Sequence, residues 1–245
     1  MSVRVLVIGG TRGTGLLAAQ LLLHRRYQVR VLARNPIDAA PRLGPSVEIV
    51  AGDITKPETL GPAVRDVDSI TFTAGVHSGR IAPEGLVKET DYQGVLNTLA
   101  AACEMGMRGR LLYMNSIGIG TPSLAASLLN LLKRNTLVWR RRVEDHIRSS
   151  GLDYTIVRVG FLTGSAAGQR AVNVSQGALP LAPRHRIARA DVAEAFVEAM
   201  QHPRASRSTF EIVWGKGPRR TDWGSLLSGL QPDNSLRLST MERRR

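Results

Sequence analysis

A chain of 245 residues with 43% apolar side chains has material for one large core and needs no disulfide staples. Its single cysteine, Cys103, excludes a disulfide framework and a cysteine metal site, and its five histidines include no pair at ligand spacing. The net charge of +13 is mostly arginine in short runs, Arg140–Arg142, Arg219–Arg220 and Arg243–Arg245, and aromatics at 4% are too few for a base-stacking platform, so nucleic acid is not the expected partner.

Met1 leads directly into an apolar strand and no run approaches about 18 apolar residues, so the expectation is a soluble, cytoplasmic protein. The first predicted strand is Val3–Ile8, followed by a glycine-rich turn and a helix over Thr14–Arg26. Further strands are expected at Gln28–Ala33, Val47–Val50, Ser69–Thr73, Arg110–Met114, Tyr154–Val157 and Phe210–Val213. Helices are expected at Glu84–Glu104, Ser123–Leu132, Leu137–Ser149, Ala190–Gln201 and Asp222–Leu230. Thr55 and Glu58 read as a capping box for a short helix that Gly61-Pro62 should end, and Gly151 as the stop of the Leu137 helix. Arg140 with Glu144, and Arg141 with Asp145, have the spacing of ion pairs on a solvated helix face.

Strands alternating with helices give an α/β fold, a doubly wound parallel sheet of the Rossmann kind, in one domain. Its cofactor-binding core covers about 1–158, a variable substrate-side region about 159–235, and a tail 236–245. Gly160–Arg186, rich in Gly, Ala and Pro, is expected to be a long functional loop.

Gly9, Gly13 and Gly15 form G-x-x-x-G-x-G between a strand and a helix. At that place the loop Gly9, Thr11, Arg12, Gly13, Thr14, Gly15 lets a dinucleotide pyrophosphate approach backbone N–H groups at the positive end of a helix. A tight turn alone would need fewer glycines. After the second strand a NAD site calls for a carboxylate on the ribose 2′-hydroxyl, whereas NADP calls for cations. Ala33 stands there with Arg34 beside it and Arg12 within reach, so NADP(H) is expected over NAD(H).

GGTRGTG, GDI at Gly52–Ile54, TAGV at Thr73–Val76, DYQG at Asp91–Gly94, SIG at Ser116–Gly118, SGLDYTIVR at Ser150–Arg158 and RADVA at Arg189–Ala193 follow in order. Together they resemble the atypical short-chain dehydrogenase/reductases, of the NmrA-like, biliverdin reductase B-like and Tic62-like kinds, over nearly the whole chain. The resemblance implies that Asp53 and Ile54 sit at the adenine, that Ala74, Gly75 and Val76 line the cofactor, and that Val159, Gly160, Phe161 and Leu162 lie near the nicotinamide. It also implies Ser116 on the substrate side, where a hydroxyl can hold a substrate carbonyl.

The chain departs from the family at the proton relay. Tyr-x-x-x-Lys occurs nowhere; the matching positions hold Thr136 and Arg140. An arginine stays protonated, so it can hold a ribose or phosphate but cannot relay a proton. MNSIG is not a nucleophile elbow, because Met114 stands where glycine is required, and Tyr113 reads as core. The stretch SLAASLLNLLKR carries Leu124, Leu128 and Leu131 as a stripe, either packed over the substrate cleft or offered to a protein or membrane surface. Two readings result, for a monomer or homodimer. One is a reductase or isomerase acting on a small, largely apolar molecule, with Ser116 as its catalytic residue. The other is a non-catalytic NADP(H)-binding sensor or assembly factor.

Overall fold

Val5, Leu6 and Val7 are fully buried in the first strand, β1 (Arg4–Ile8), so both of its faces must be covered. The computed structural model, which describes residues 3–76, 82–121, 123–132, 135–217 and 222–234, shows how this is done. The elements run β1, α1 (Gly13–His24), β2 (Gln28–Ala33), α2 (Pro36–Leu43), β3 (Glu48–Ala51), α3 (Leu60–Val64), β4 (Ser69–Phe72) and α4 (Glu84–Lys88). Then follow α5 (Gly94–Glu104), β5 (Arg110–Ser116), α6 (Leu124–Leu132), α7 (Thr136–Ser149), β6 (Asp153–Val159), β7 (Phe161–Thr163), β8 (Val172–Ser175), β9 (Arg186–Ala188), α8 (Arg189–Gln201), β10 (Ser208–Trp214) and α9 (Trp223–Leu227).

The main sheet has the order β3-β2-β1-β4-β5-β6-β10-β8, parallel except for the edge strand β8, which runs antiparallel to β10. The order reverses direction between β1 and β4, and in open parallel sheets that switch point forms the crevice that takes a ligand. One core lies under α1, α8 and α9, around Leu22, Val31, Phe196 and Phe210; the other lies under α3, α5 and α7, around Phe72, Tyr113, Ile147 and Ile156. A third, small cluster joins Ile117 and Ile119 to Ala126, Leu137, Leu181 and Val213, fastening α6 and the loop before β9 over the carboxyl ends of the strands. Arg30 is a buried charge in β2 with a structural task. Its Nη1 donates to the carbonyls of Ala63 (2.9 Å) and Arg65 (2.6 Å), closing the end of α3, while Nη2 pairs with Glu48.

Several expectations need correction. Thr55 caps nothing: its hydroxyl donates to Asp53, and a short 3₁₀ turn over Pro57–Thr59 has no side-chain cap. Gly61-Pro62 does not end a helix but lies in the first turn of α3, where the missing proline N–H costs no hydrogen bond. Gly160–Arg186 is not irregular throughout, since it contains β7, β8 and the start of β9. The helix expected over Glu84–Glu104 is interrupted by a wide π-type turn at Glu89–Gln93. The ion pair expected between Arg140 and Glu144 does not form. Arg140 is turned inward to Asp91, and Glu144 is buried between Arg148, Arg158 and Asn115. The arginine runs at 219–220 and 243–245 lie outside the described residues.

Candidate functional site

The glycine turn joins β1 to α1 at the switch point. Gly9 has φ +87°, and a Cβ there would stand 2.7 Å from the Ala74 nitrogen. A Cβ on Gly15 would stand 2.2 Å from the Gly9 carbonyl oxygen, so two of the glycines serve the tight packing of helix on strand. Gly13 differs: a Cβ there would meet only the Arg189 side chain, at 3.8 Å. No side chain caps α1 and no acid stands in its first turn, which leaves the positive end of the helix available. The Thr14 hydroxyl is buried without a hydrogen-bond partner. An uncapped helix start, an exposed Arg12 and a glycine cradle together fit a phosphate-bearing ligand.

Around this cradle the structure gathers most of the predicted residues. Ala33 and Arg34 end β2, Ala33 buried and Arg34 exposed, next to α2, which Asn35 caps by accepting from Ile37 N–H at 3.1 Å. Asp53 follows β3 and its carboxylate is used locally, accepting from the Thr55 N–H and hydroxyl at 3.0 Å each. Ile54 is buried against Gly94, and its carbonyl accepts from Asn97. Thr73, Ala74, Gly75 and Val76 continue β4, with the Thr73 hydroxyl donating to the Ile8 carbonyl at the mouth of the glycine turn.

At the far end of the cleft, Ser116 closes β5 opposite Val159 of β6. Its hydroxyl donates to the Ile117 carbonyl at 3.0 Å, so a carbonyl ligand would have to take over this hydrogen bond by rotation of the hydroxyl. The Gly160 N–H donates to the Ile212 carbonyl of β10 at 3.3 Å, and the Phe161 N–H donates to the His185 carbonyl of the loop before β9 at 2.8 Å. Thr11 and Leu162 are partly buried, the latter in β7 beside Ile187. Tyr113 is 1% exposed, and burial pushes its phenol well above its ordinary pKa, so it is no substitute for the missing relay tyrosine.

Two charged residues were not assigned from the sequence. Arg189, at the start of α8, lies beside the glycine turn. Asp91, 3% exposed in the π-type turn, gathers Val76, Thr136 and Arg140 around one carboxylate. A signal for Asp91 exists in the sequence: it falls on the buried frame Val87, Asp91, Val95, Thr98, where a solvated acid has no place.

Residues 9–203 match the model of a family described as NAD(P)H-binding. The chain belongs to this family. It is 29% identical to the sanguinarine reductase of Eschscholzia californica over 91% of this chain and 94% of that one. It is 27% identical to the photosystem II assembly factor Ycf39 of a Synechocystis strain, covering 86% of this chain but 64% of Ycf39. Among solved structures, one from Bacillus halodurans, whose name places it with NAD-dependent epimerases/dehydratases, superimposes with a TM-score of 0.79 at 25% identity, over 94% of this chain and all of that one. The fold and the nucleotide-binding role are thereby established. The glycine turn at the β1–β4 switch point agrees with both.

Proposed function

We propose that this protein is an NADP(H)-dependent reductase or isomerase of a small, largely apolar molecule, working without a Tyr–Lys proton relay. The observation that carries the reading is the partly buried guanidinium of Arg140, set against Gly75 and reaching the Met114 carbonyl two residues before Ser116. It puts a permanent positive charge where the cofactor segment after β4 meets the substrate-side end of β5. A bound dihydronicotinamide would supply the hydride. The chain's own part is to hold the cofactor with the glycine turn and to orient the acceptor through Ser116. Arg140 stabilises negative charge that develops nearby. Arg12 and Arg34, with no carboxylate at Ala33, support NADP(H) over NAD(H) through a 2′-phosphate, and Arg189 adds a cation beside Gly13. The similarity to sanguinarine reductase along nearly all of both chains supports a reductase.

One observation favours a second reading, a non-catalytic NADP(H)-binding assembly factor or sensor. Leu124 (92% exposed), Leu128, Leu131 and Leu132 form an open apolar face on α6, while Ala126 and Leu129 of the same helix pack over the strand ends, and Ycf39 is named as an assembly factor. No described helix is long and apolar enough to cross a membrane, so such a face would serve contact at a surface. Quinones, flavins and enones, screened for saturable oxidation of NADPH, separate the two. We expect turnover, and Ser116→Ala should lower it about 10- to 100-fold with NADPH affinity nearly unchanged, because an orienting hydrogen bond is removed and not a proton relay. Tight NADPH binding with no turnover on the whole panel would leave the second reading in possession.

A further inference from the structure

We propose that the charged cleft between α7 and the β10–β8 edge of the sheet is a second ligand site, for a small, polar monocarboxylate. A cavity of about 360 Å³ opens there. One face of α7 forms a wall, since Arg141, Glu144, Asp145 and Arg148 recur at helical spacing. Arg158 of β6 and Glu211 of β10 lie on the floor, and the loop Gln176–Ala178 after β8 stands opposite. No residue of the glycine turn or of the segment after β4 lines this cavity, nor does Ser116, so it is separate from the cofactor cleft.

The ligand class follows from which polar groups are already engaged. Three of the acids are. Glu144 accepts from Nε and Nη2 of Arg158, from Nη2 of Arg148 and from the Asn115 amide. Asp233 accepts from Arg148 Nε, from the Tyr154 and Thr209 hydroxyls and from the Thr209 N–H. Glu211 accepts the Leu179 N–H on both oxygens and the Ser175 hydroxyl. The arginines have donors to spare. Nη1 of Arg158 has an ion pair at 3.5 Å with Glu211 and no hydrogen bond among the described residues. Nη1 of Arg148 has a looser one, at 3.6 Å, with the exposed Asp145. Arg141 makes neither a hydrogen bond nor an ion pair among the described residues, although Asp145 stands four positions on. Its Nη1 lies 3.7 Å from where a Gly120 Cβ would stand, at the rim of the cavity.

Unspent guanidinium N–H groups beside saturated acids call for an acceptor, and their planar fork matches a carboxylate. One negative charge is what the cleft accommodates. The cations Arg141, Arg148 and Arg158 face Glu144, Glu211 and Asp233, while Asp145 is 64% exposed and screened by water. Burial raises the pKa of Glu211, and a carboxylate drawing on Arg158 weakens the charge that opposes this rise. The other groups around Glu211 are Glu144 and Arg148 on α7, reached through Arg158, and the Ser175 hydroxyl on β8. A monoanion therefore binds with uptake of a proton at Glu211, whereas a dianion would set a second charge against Glu144 and Asp233. Gln176, Gly177 and Thr209 make the remaining wall polar, which suits hydroxyls and not an apolar body on the rest of the ligand.

Calorimetric titration with gluconate, a hydroxy acid such a cavity can enclose, tests this against gluconamide, its neutral counterpart, and sulfate, a dianion. Gluconate should bind at least about tenfold more tightly than either control. Arg141→Ala should weaken gluconate about 10- to 100-fold, the value of a charge-assisted contact, and leave the urea midpoint unmoved, because Arg141 holds nothing else in place. Glu211→Gln should tighten gluconate and remove the proton uptake seen when the titration is repeated in buffers of different ionisation enthalpy. Excess NADPH should leave the gluconate affinity within about twofold, as separate sites require. No binding of gluconate, equal binding of gluconamide or tighter binding of sulfate would each overturn the proposal. So would competition by NADPH, or an Arg141→Ala protein that binds gluconate normally. If Glu211→Gln does not fold, Arg141→Ala and the two control ligands decide.

Discussion

Replacing Gly15 by alanine should damage both the fold and the cofactor site, whereas the same change at Gly85 should not. At Gly15 the new Cβ would stand 2.2 Å from the Gly9 carbonyl oxygen, 2.5 Å from the Thr73 hydroxyl and 2.7 Å from the Gly9 carbonyl carbon. A carbon needs about 3.3 Å from a carbonyl oxygen, so α1 and the glycine turn must separate by roughly 1 Å. Two of the three clashing atoms are backbone, and no rotamer change relieves them. Overpacking of this kind costs about 1–3 kcal/mol, and the rigid partners put Gly15→Ala near the upper end. Gly85, in α4, has nothing within 4 Å of a Cβ and is followed by Leu86, so alanine there should stabilise by up to about 0.5–1 kcal/mol through helix propensity. Urea unfolding of the two variants should therefore move in opposite directions. NADPH titration should show a loss of more than about tenfold for Gly15→Ala alone, because a cradle displaced by that distance no longer meets the phosphates. Equal stabilities, or a Gly15→Ala protein that unfolds earlier yet binds NADPH normally, would refute the claim that this packing shapes the cradle.

The remaining predictions concern charge. Arg34→Asp should erase or reverse a preference for NADPH over NADH measured by calorimetry, and in the unaltered protein the preference should shrink with added salt, since Arg12 and Arg34 are exposed. Equal affinities for the two cofactors in the unaltered protein would dismiss the 2′-phosphate site. Glu211 is 1% exposed, and burial raises its pKa above the ordinary 4.5 despite the Leu179 N–H, Arg158 and Ser175. The native state then keeps this proton longer than the unfolded chain does, so the Glu211 contribution to stability falls as pH rises from about 4.5 through the raised value. Glu211→Gln should flatten that decline in urea midpoints measured across the range; an unchanged slope would assign the decline to other groups.

Most of the frame is legible in the sequence, because strands buried on both faces leave continuous apolar runs. Gln28–Ala33 falls where it is expected, and β5 and β6 extend their predicted runs by only one or two residues at an end. The helix α2 is not legible by periodicity. Its eight residues contain two prolines, and the signal that survives is Asn35 capping with Pro36 at the first position. The strands β7, β8 and β9 are three or four residues long and sit in a Gly- and Pro-rich stretch, where pairing partners and not local preference make the strand. Arg140 illustrates the harder failure. Helical spacing offers it Glu144 four residues on, but Glu144 is claimed by Arg158 from a neighbouring strand at 2.6 Å, leaving Arg140 to a partner 49 positions away in sequence, Asp91. Local spacing lists the available neighbours; the sheet decides which of them is already taken.

That exchange of partners bears on the chemistry. With Thr136 and Arg140 both held by Asp91, neither relay position can deliver a proton, and Tyr113 is withdrawn by burial and a raised pKa. The Ser116 hydroxyl, which donates to the Ile117 carbonyl, can turn to orient an acceptor but is too weak an acid to give its proton up. On the proposed reductase reading, an acceptor would therefore take hydride before it is protonated, with the guanidinium of Arg140 meeting the charge and water supplying the proton afterwards. Such a sequence favours acceptors whose reduced anion is delocalised, quinones and enones above simple ketones. A saturated ketone gives a localised alkoxide, which needs a proton donor in step with the hydride.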